Sequence, residues 1–302
     1  MRYILAVLML CLVALVPARA SVQVTVHDSR YGLTQPGAPG DPTFDWTRGV
    51  IFVTDAGKAP STMMGARSAA QAREAALTAA QARLRIQLGA LKLTGFATLD
   101  EAITTKLVPS LCLESMCAPL RPVVERYDSV TRTCTLTAVL PLTGAGSLSD
   151  VAAKMLALQQ GPQGKGMRPV YTAKEMTLRP SAPFTQVSAG PYSGLVLDCR
   201  GLGYTPVLTP RLIGQDGAEV WGVTGLNLAL VKDKGLAAYA PTLNAALMSG
   251  RVGNVPLLVR PLGTAGPLRG DLVLRAEDIT ALHDAHAAES FLSTLSLVIL
   301  ID

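Results

Sequence analysis

The chain has 302 residues, 49% of them hydrophobic and 16% charged, with 27 basic and 22 acidic side chains that leave a formal charge of +5. That suits a well-buried globular protein with one large core or two ordinary ones. Few aromatic residues (5%) and a near-balanced charge argue against a nucleic-acid binder, which needs a basic surface with stacking rings.

At the start, Arg2 forms a short positive region, an apolar run extends from Tyr3 to Pro17, and Ala18 and Ala20 flank Arg19. This reads as a secretory signal peptide cut after Ala20, because the run is shorter than the roughly 20 apolar residues of a spanning helix. Cys11, preceded by Leu10, lies too early for the acylated cysteine of a lipoprotein. Cleavage leaves 25 basic residues against 22 acidic ones, so no acidic partner is implied by net charge. The sequence therefore predicts export across a membrane.

Val22 to Val26 alternates like a strand, Gly32 to Pro42 reads as a glycine and proline loop, and Trp46 to Thr54 as a second strand. Ser61 to Leu93 is expected to be one long helix. Ala72, Ala75, Ala76, Ala79, Ala82, Ile86, Ala90 and Leu93 follow the helical period, and Leu77, Leu84 and Leu91 widen the apolar face. Gln71, Glu74, Thr78, Gln81, Arg85 and Lys92 make the polar side, and the many alanines predict close approach to a sheet. Val123 to Arg126 and Thr133 to Leu140 read as a hairpin, followed by a helix from Asp150 to Gln160 with Ser149 as its cap. Gly161 to Pro169, with Pro180, Pro183 and Pro191, breaks all periodicity.

The second half is strand-rich: Leu195 to Asp198, Val207 to Ile213, Glu219 to Trp221, Pro256 to Arg260, Asp271 to Arg275 and Leu295 to Ile301, with one helix near Glu277 to Leu292. Gln215, Asp216 and Gly217 signal a hairpin turn. The expectation is an α+β fold of two domains, each with an antiparallel sheet packed against helices. The boundaries are residues 1–20 for the signal peptide, 21–160 for a helix-on-sheet domain, 161–190 for a linker, and 191–302 for a strand-rich domain.

Four cysteines remain after cleavage, an even number that permits disulfides in an exported chain. Cys112 and Cys117, in a short proline-bounded segment, are the favoured pair of the three possible connectivities. Cys134 and Cys199 sit in strand-like runs and are expected to be free, packed thiols if both are buried in different domains. Zinc is not expected, since one loose C-x4-C has no matching second pair.

No catalytic signature is present. Cys199 beside Arg200 could be an activated thiolate only with a histidine base, and nothing marks His27, His283 or His286 as one. His283 and His286 share a helix face at metal-ligand spacing, but no third ligand is evident. Gly201 and Gly203 lack the third glycine and the following helix of a dinucleotide site. The turn at Asp198, Arg200, Gly201 and Gly203 remains the candidate interaction or ligand site, with Arg200 able to take a partner's carboxylate or to pair locally and hold the turn. No catalytic, cofactor-binding or metal site is assigned.

These residues also carry a resemblance. Gly57-Lys58-Ala59-Pro60 followed by Ala66, Ala69, Ala72, Ala76, Ala79, Ala80 and Arg83-Leu84, with the later Pro141-Leu142-Thr143-Gly144, resembles the domain of the Lpp-twenty type envelope lipoproteins. It is also similar to the amino-terminal domain of flagellar assembly protein T. In the second half, GLVLDCRGLGYTPVLTPRLIGQDGAEVWG resembles a module found beside such domains, with a G-L-(I/V)-(I/V)-D-A-R-G-L core. Gly253 to Leu257, Asp271 to Leu274, Glu277-Asp278 and Phe291-Leu292 fit it as well. The chain departs from the family in having an ordinary cleavage site in place of an acylated cysteine, and Cys199 in place of the usual alanine. The resemblance implies an α+β fold, a cell-envelope location that leaves peripheral membrane contact open, no known enzymatic activity, and a role in assembling or stabilising envelope structures. Flagellar basal-body or outer-membrane components are the implied partners. The alternatives are a periplasmic small-ligand or peptidoglycan-binding module and, third, a hydrolase.

Overall fold

The computed structural model describes residues 22–109, 120–161, 169–179 and 191–302. The expected signal peptide and the Cys112 and Cys117 pair lie outside them. Among the described residues no helix is long and apolar enough to cross a membrane.

The fold is α+β. The first half carries β1 (Val22–Val26), β2 (Gly40–Asp45), β3 (Val50–Lys58), α1 (Gly65–Gly89), α2 (Leu99–Thr104), β4 (Arg121–Asp128), β5 (Thr133–Pro141) and α3 (Leu148–Gln160). Its five strands form one antiparallel sheet in the order β1-β4-β5-β3-β2. α1 crosses one face of it. Ala72, Ala76, Ala80, Leu84 and Leu88, spaced by four, are fully buried against Ile51, Val53, Leu136 and Ala138. The stripe meets the expected apolar face at Ala72, Ala76 and Leu84 but departs from it at Ala82, Ile86 and Ala90, all exposed, Ile86 at 75%, because Ile86 stands two residues from Leu84 and Leu88 and so on the opposite side. The helix is also shorter than the expected Ser61 to Leu93. Approach is close: a Cβ on Gly57 of β3 would lie 2.1 Å from the amide nitrogen of Ala76.

Other expectations shift locally. Trp46 to Gly49 is a turn, and the strand expected from Trp46 runs from Val50 to Lys58. The glycine and proline loop yields β2 from Gly40. Ser147, not Ser149, precedes the first turn of α3; Ser149 lies inside the helix and its hydroxyl donates to the Lys232 carbonyl. α2 went unpredicted although Thr98 and Glu101 spell a capping box.

The second half begins with β6 (Met176–Leu178) and continues with β7 (Gly194–Asp198), β8 (Leu212–Ile213), β9 (Glu219–Trp221), α4 (Leu228–Lys234), β10 (Ala238–Ala240) and α5 (Leu243–Met248). Then come β11 (Pro256–Val259), β12 (Gly263–Ala265), β13 (Asp271–Val273), α6 (Ala276–Glu289) and β14 (Leu297–Leu300). β10-β14-β7-β11 is a wholly parallel sheet, and β6-β12-β13-β8-β9 is mixed. The antiparallel arrangement expected here is thus corrected: among the described residues of this half, antiparallel pairs occur only in the five-stranded mixed sheet, among them the β8 and β9 hairpin closed at Gly217 (φ +80°). The reason is visible in β7 and β14, whose residues are all buried, as strands covered on both faces must be. Of the strand expected from Val207 to Ile213 only Leu212–Ile213 forms. Pro206 and Pro210 remove donors, and the intervening amides of Leu208 and Thr209 instead donate to the carbonyls of Lys92 and Leu93 (3.2 and 2.9 Å).

β6 falls between residues 161 and 190 and pairs with β12. A continuous group of buried apolar side chains reaches from Ile51 and Leu84 to Leu197, Leu272 and Ile299. Arg251 fastens the loop after α4: its guanidinium donates to the carbonyls of Lys234, Gly235, Leu236 and Leu295 at 2.6 to 3.1 Å. Burial lowers its pKa to about 10, so it stays charged at neutral pH. Arg251→Met is expected to destabilise the protein by about 2 kcal/mol, since the carbonyls lose a charged donor. The check is the urea midpoint; an unchanged value would mean that water replaces the guanidinium.

Candidate functional site

The turn after β7 gathers more residues than its sequence shows. Asp198, 3% exposed, ends a central parallel strand, at the carboxyl edge where open α/β sheets place their ligand crevices. Arg200 grips it with two parallel bonds, Nε to Oδ1 at 2.8 Å and Nη2 to Oδ2 at 2.9 Å. Gly201 and Gly203 have φ of +75° and +68°, the left-handed backbone that glycine adopts without cost from a Cβ. The Gly201 amide donates to both carboxylate oxygens of Asp302 (3.0 Å each), and its carbonyl accepts from Arg179 Nη1 at 2.8 Å. Arg260 Nη2 donates to the Arg200 carbonyl at 3.4 Å. The structure therefore brings Asp198, Arg200 and Gly201 together with Arg179, Arg260 and Asp302, three residues that reading the sequence missed. They are remote in the chain: the parallel pairing of β7 with β11 and β14 brings in Arg260 and Asp302, and the antiparallel pairing of β6 with β12, continued by the Arg179 amide donating to the Leu262 carbonyl at 2.9 Å, brings in Arg179.

The Arg200 guanidinium holds the Asp198 carboxyl below its usual range. A depressed folded-state pKa stabilises the fold above the unfolded value, about 3.9, and that contribution disappears as pH falls through the folded value. Asp198→Asn is expected to flatten the acid limb of the stability curve below about pH 4. An acid limb identical to that of the parent protein would remove the linkage.

Cys199 lies beside this turn with its thiol inside. It is 1% exposed, and burial pushes its pKa well above the ordinary thiol value, the reverse of an activated nucleophile. Cys134 is equally buried and pushed up to about 11 by burial, with Glu125 adding to the effect. Both are free thiols. Neither is expected to react with a maleimide at neutral pH until the protein unfolds; rapid native labelling of either would contradict this packing. Of the histidines, His286 Nδ1 accepts from the Leu292 amide at 3.4 Å and its ring meets Phe291 edge-on. His27 contacts Glu125 at 3.1 Å. Among the described residues no group of three or more histidine, cysteine or acidic side chains is arranged to hold a metal.

A second feature lies on the sheet of the first half. β1 is an edge strand exposed along its whole length. Val22, Val24 and Val26 are 52%, 42% and 45% exposed, unusual for β-branched residues in a sheet. His27 donates to the Val123 carbonyl across the β1 and β4 ladder at 2.7 Å. The antiparallel alternation then turns the amides and carbonyls of the three valines to the open edge. Gln23 and Thr25 face a cleft under α1, where Arg73 Nε bonds Glu125 at 2.6 Å and Tyr127 reaches Ser68 at 2.9 Å. At the start of α1 the cleft opens into a space of about 520 Å³ that Arg132 also lines.

No curated protein matches the chain. The family model described as the second domain of Treponema pallidum Tp0624 matches residues 194–302, from the first residue of β7 through β14, so the similarity covers 109 of the 302 residues, the part that carries the parallel sheet and the Asp198 turn.

Proposed function

We propose that the protein is an exported, non-enzymatic component of the cell envelope that acts through protein-protein contacts in assembling or stabilising an envelope structure, such as a flagellar basal body. The observation that carries this reading is the edge of β1, whose outward backbone groups have no strand partner among the described residues and coincide with three exposed valines. Edges of that kind are ordinarily blunted by charge, proline or a bulge, because they pair with other chains. The first sheet carries register shifts on the inner partner β4, between Pro122 and Val124, and on its other edge strand β2, between Gly40 and Thr43, and leaves β1 regular.

The turn at Asp198 supports the same reading. Arg200 is committed to Asp198, and Gly201 to Asp302 and Arg179, so these groups already satisfy one another. A photo-reactive residue placed in turn at exposed positions in the native envelope tests the proposal. Discrete adducts to one envelope protein support it. Absence of adducts at every position, with the protein recovered only as a monomer, would overturn it.

A further inference from the structure

The two faces of β1 differ in chemistry, and the difference specifies what the open edge accepts. On one face the valine side chains stand beside the exposed Arg126, which pairs with Val24 in register. On the other, Gln23 and Thr25 border the cleft under α1, where the cations are Arg73 and Arg132 and Glu125 is the acid. Glu125 is shared between Arg73 and His27, and Arg73 spends only its Nε there, leaving a side chain 46% exposed. α1 adds to the positive potential. Its first turn holds no acidic residue and its N-cap Met64 makes no side-chain bond, so the partial positive charge of a 25-residue helix is uncompensated at the cleft.

We propose that β1 is a docking edge for an extended segment of a partner protein in which apolar residues alternate with acidic ones. This deepens the reading above and rests on it. The segment adds as a sixth strand, its backbone pairing with the amides and carbonyls of Val22, Val24 and Val26. Because side chains alternate across a strand, one set extends the valine face while the other lies along the cleft, where carboxylates meet Arg73 and Arg132. Main-chain pairing supplies affinity, and the alternation of charge supplies the choice of partner.

The test uses the purified protein and three labelled eight-residue peptides: alternating valine and glutamate, alternating valine and lysine, and alternating serine and threonine. The valine-glutamate peptide is expected to bind at least tenfold more tightly than the other two by fluorescence anisotropy. It should also slow amide exchange at Val24 and Val26 at least tenfold. Val24→Pro removes an amide that faces outward and leaves the ladder to β4 intact; it should lower affinity at least tenfold with an unchanged melting temperature. Arg73→Glu with Arg132→Glu should turn the preference toward the lysine peptide.

Equal binding of the acidic and basic peptides, or unchanged binding by Val24→Pro, overturns the proposal. Slow exchange at Val24 and Val26 in the free protein also overturns it, since the edge would then be held by a second copy or by the chain's own residues 1–21. If envelope adducts form at positions away from β1 while the peptide fails to bind, this inference falls and the protein-protein reading stands. If no adduct forms anywhere, that reading falls too.

Discussion

Asp271→Ala is expected to destabilise the protein by about 3 to 5 kcal/mol, the cost of leaving a buried charge without its partner. Asp271 is fully buried and Arg211 is 4% exposed. The carboxylate takes Arg211 Nη2 at 2.6 Å and Nε at 3.0 Å, the Arg211 amide at 3.1 Å and the Tyr171 hydroxyl at 2.8 Å. The guanidinium stacks between the rings of Phe96 and Tyr171, each 5.2 Å from its centre, and donates to the Pro169 carbonyl. One ion pair therefore ties four distant stretches of chain. Gly95 is part of the design, since a Cβ there would lie 2.5 Å from the Asp271 carboxyl carbon. Removing the acid alone strands the arginine in a site where, among the described residues, no other carboxylate bonds to it. Replacing both, as Arg211→Met with Asp271→Leu, should recover most of the loss, because no charge is then buried. Urea unfolding of the two variants checks the account. A single variant within about 1 kcal/mol of the parent protein would show that the arginine finds water.

Gly57→Ala is expected to cost about 3 kcal/mol, at the upper end of ordinary overpacking. The added carbon would meet Ala76 N at 2.1 Å, Ala75 C at 2.5 Å and Ala72 O at 2.6 Å. These are backbone atoms of α1, so no rotamer change relieves the clash and the helix must lift from β3. That separation would open the stripe of Ala72, Ala76 and Ala80, each fully buried. Ile86→Ala on the same helix serves as the control, since its 75% exposure predicts a change within about 0.5 kcal/mol. Equal effects at the two positions would refute the close-packing argument.

Much of the local structure was readable. The many alanines at helical spacing from Ala72 onward specified both α1 and its closeness to a sheet, because small side chains admit a backbone and little else, while the exact stripe, which takes in Ala80 and Leu88, emerged from the packing. β1, β4, β5, β7 and β9 lie where alternation or continuous apolar runs placed them. The short helices α4 and α5, seven and six residues long, escaped notice although Asn227 and Thr242 cap them. Too few turns were present for a period to show. Of the candidate turn, Asp198 and Arg200 could be paired by eye, being two residues apart. Arg179, Arg260 and Asp302 could not.

Sequence alone determined the class of fold, the long helix and part of its buried stripe, the turn glycines, and the packing of Cys134 within an apolar strand and of Cys199 at the end of another. Those are consequences of periodicity and local conformational preference, which act over a few residues. Tertiary structure decided that the second half is built on a parallel sheet, that Arg211 meets Asp271, and that β1 stands at an edge. Each depends on which strand lies beside which. An apolar strand buries equally well beside a parallel or an antiparallel neighbour, so its side chains record burial and leave the order and direction of its partners to the packing of the whole chain.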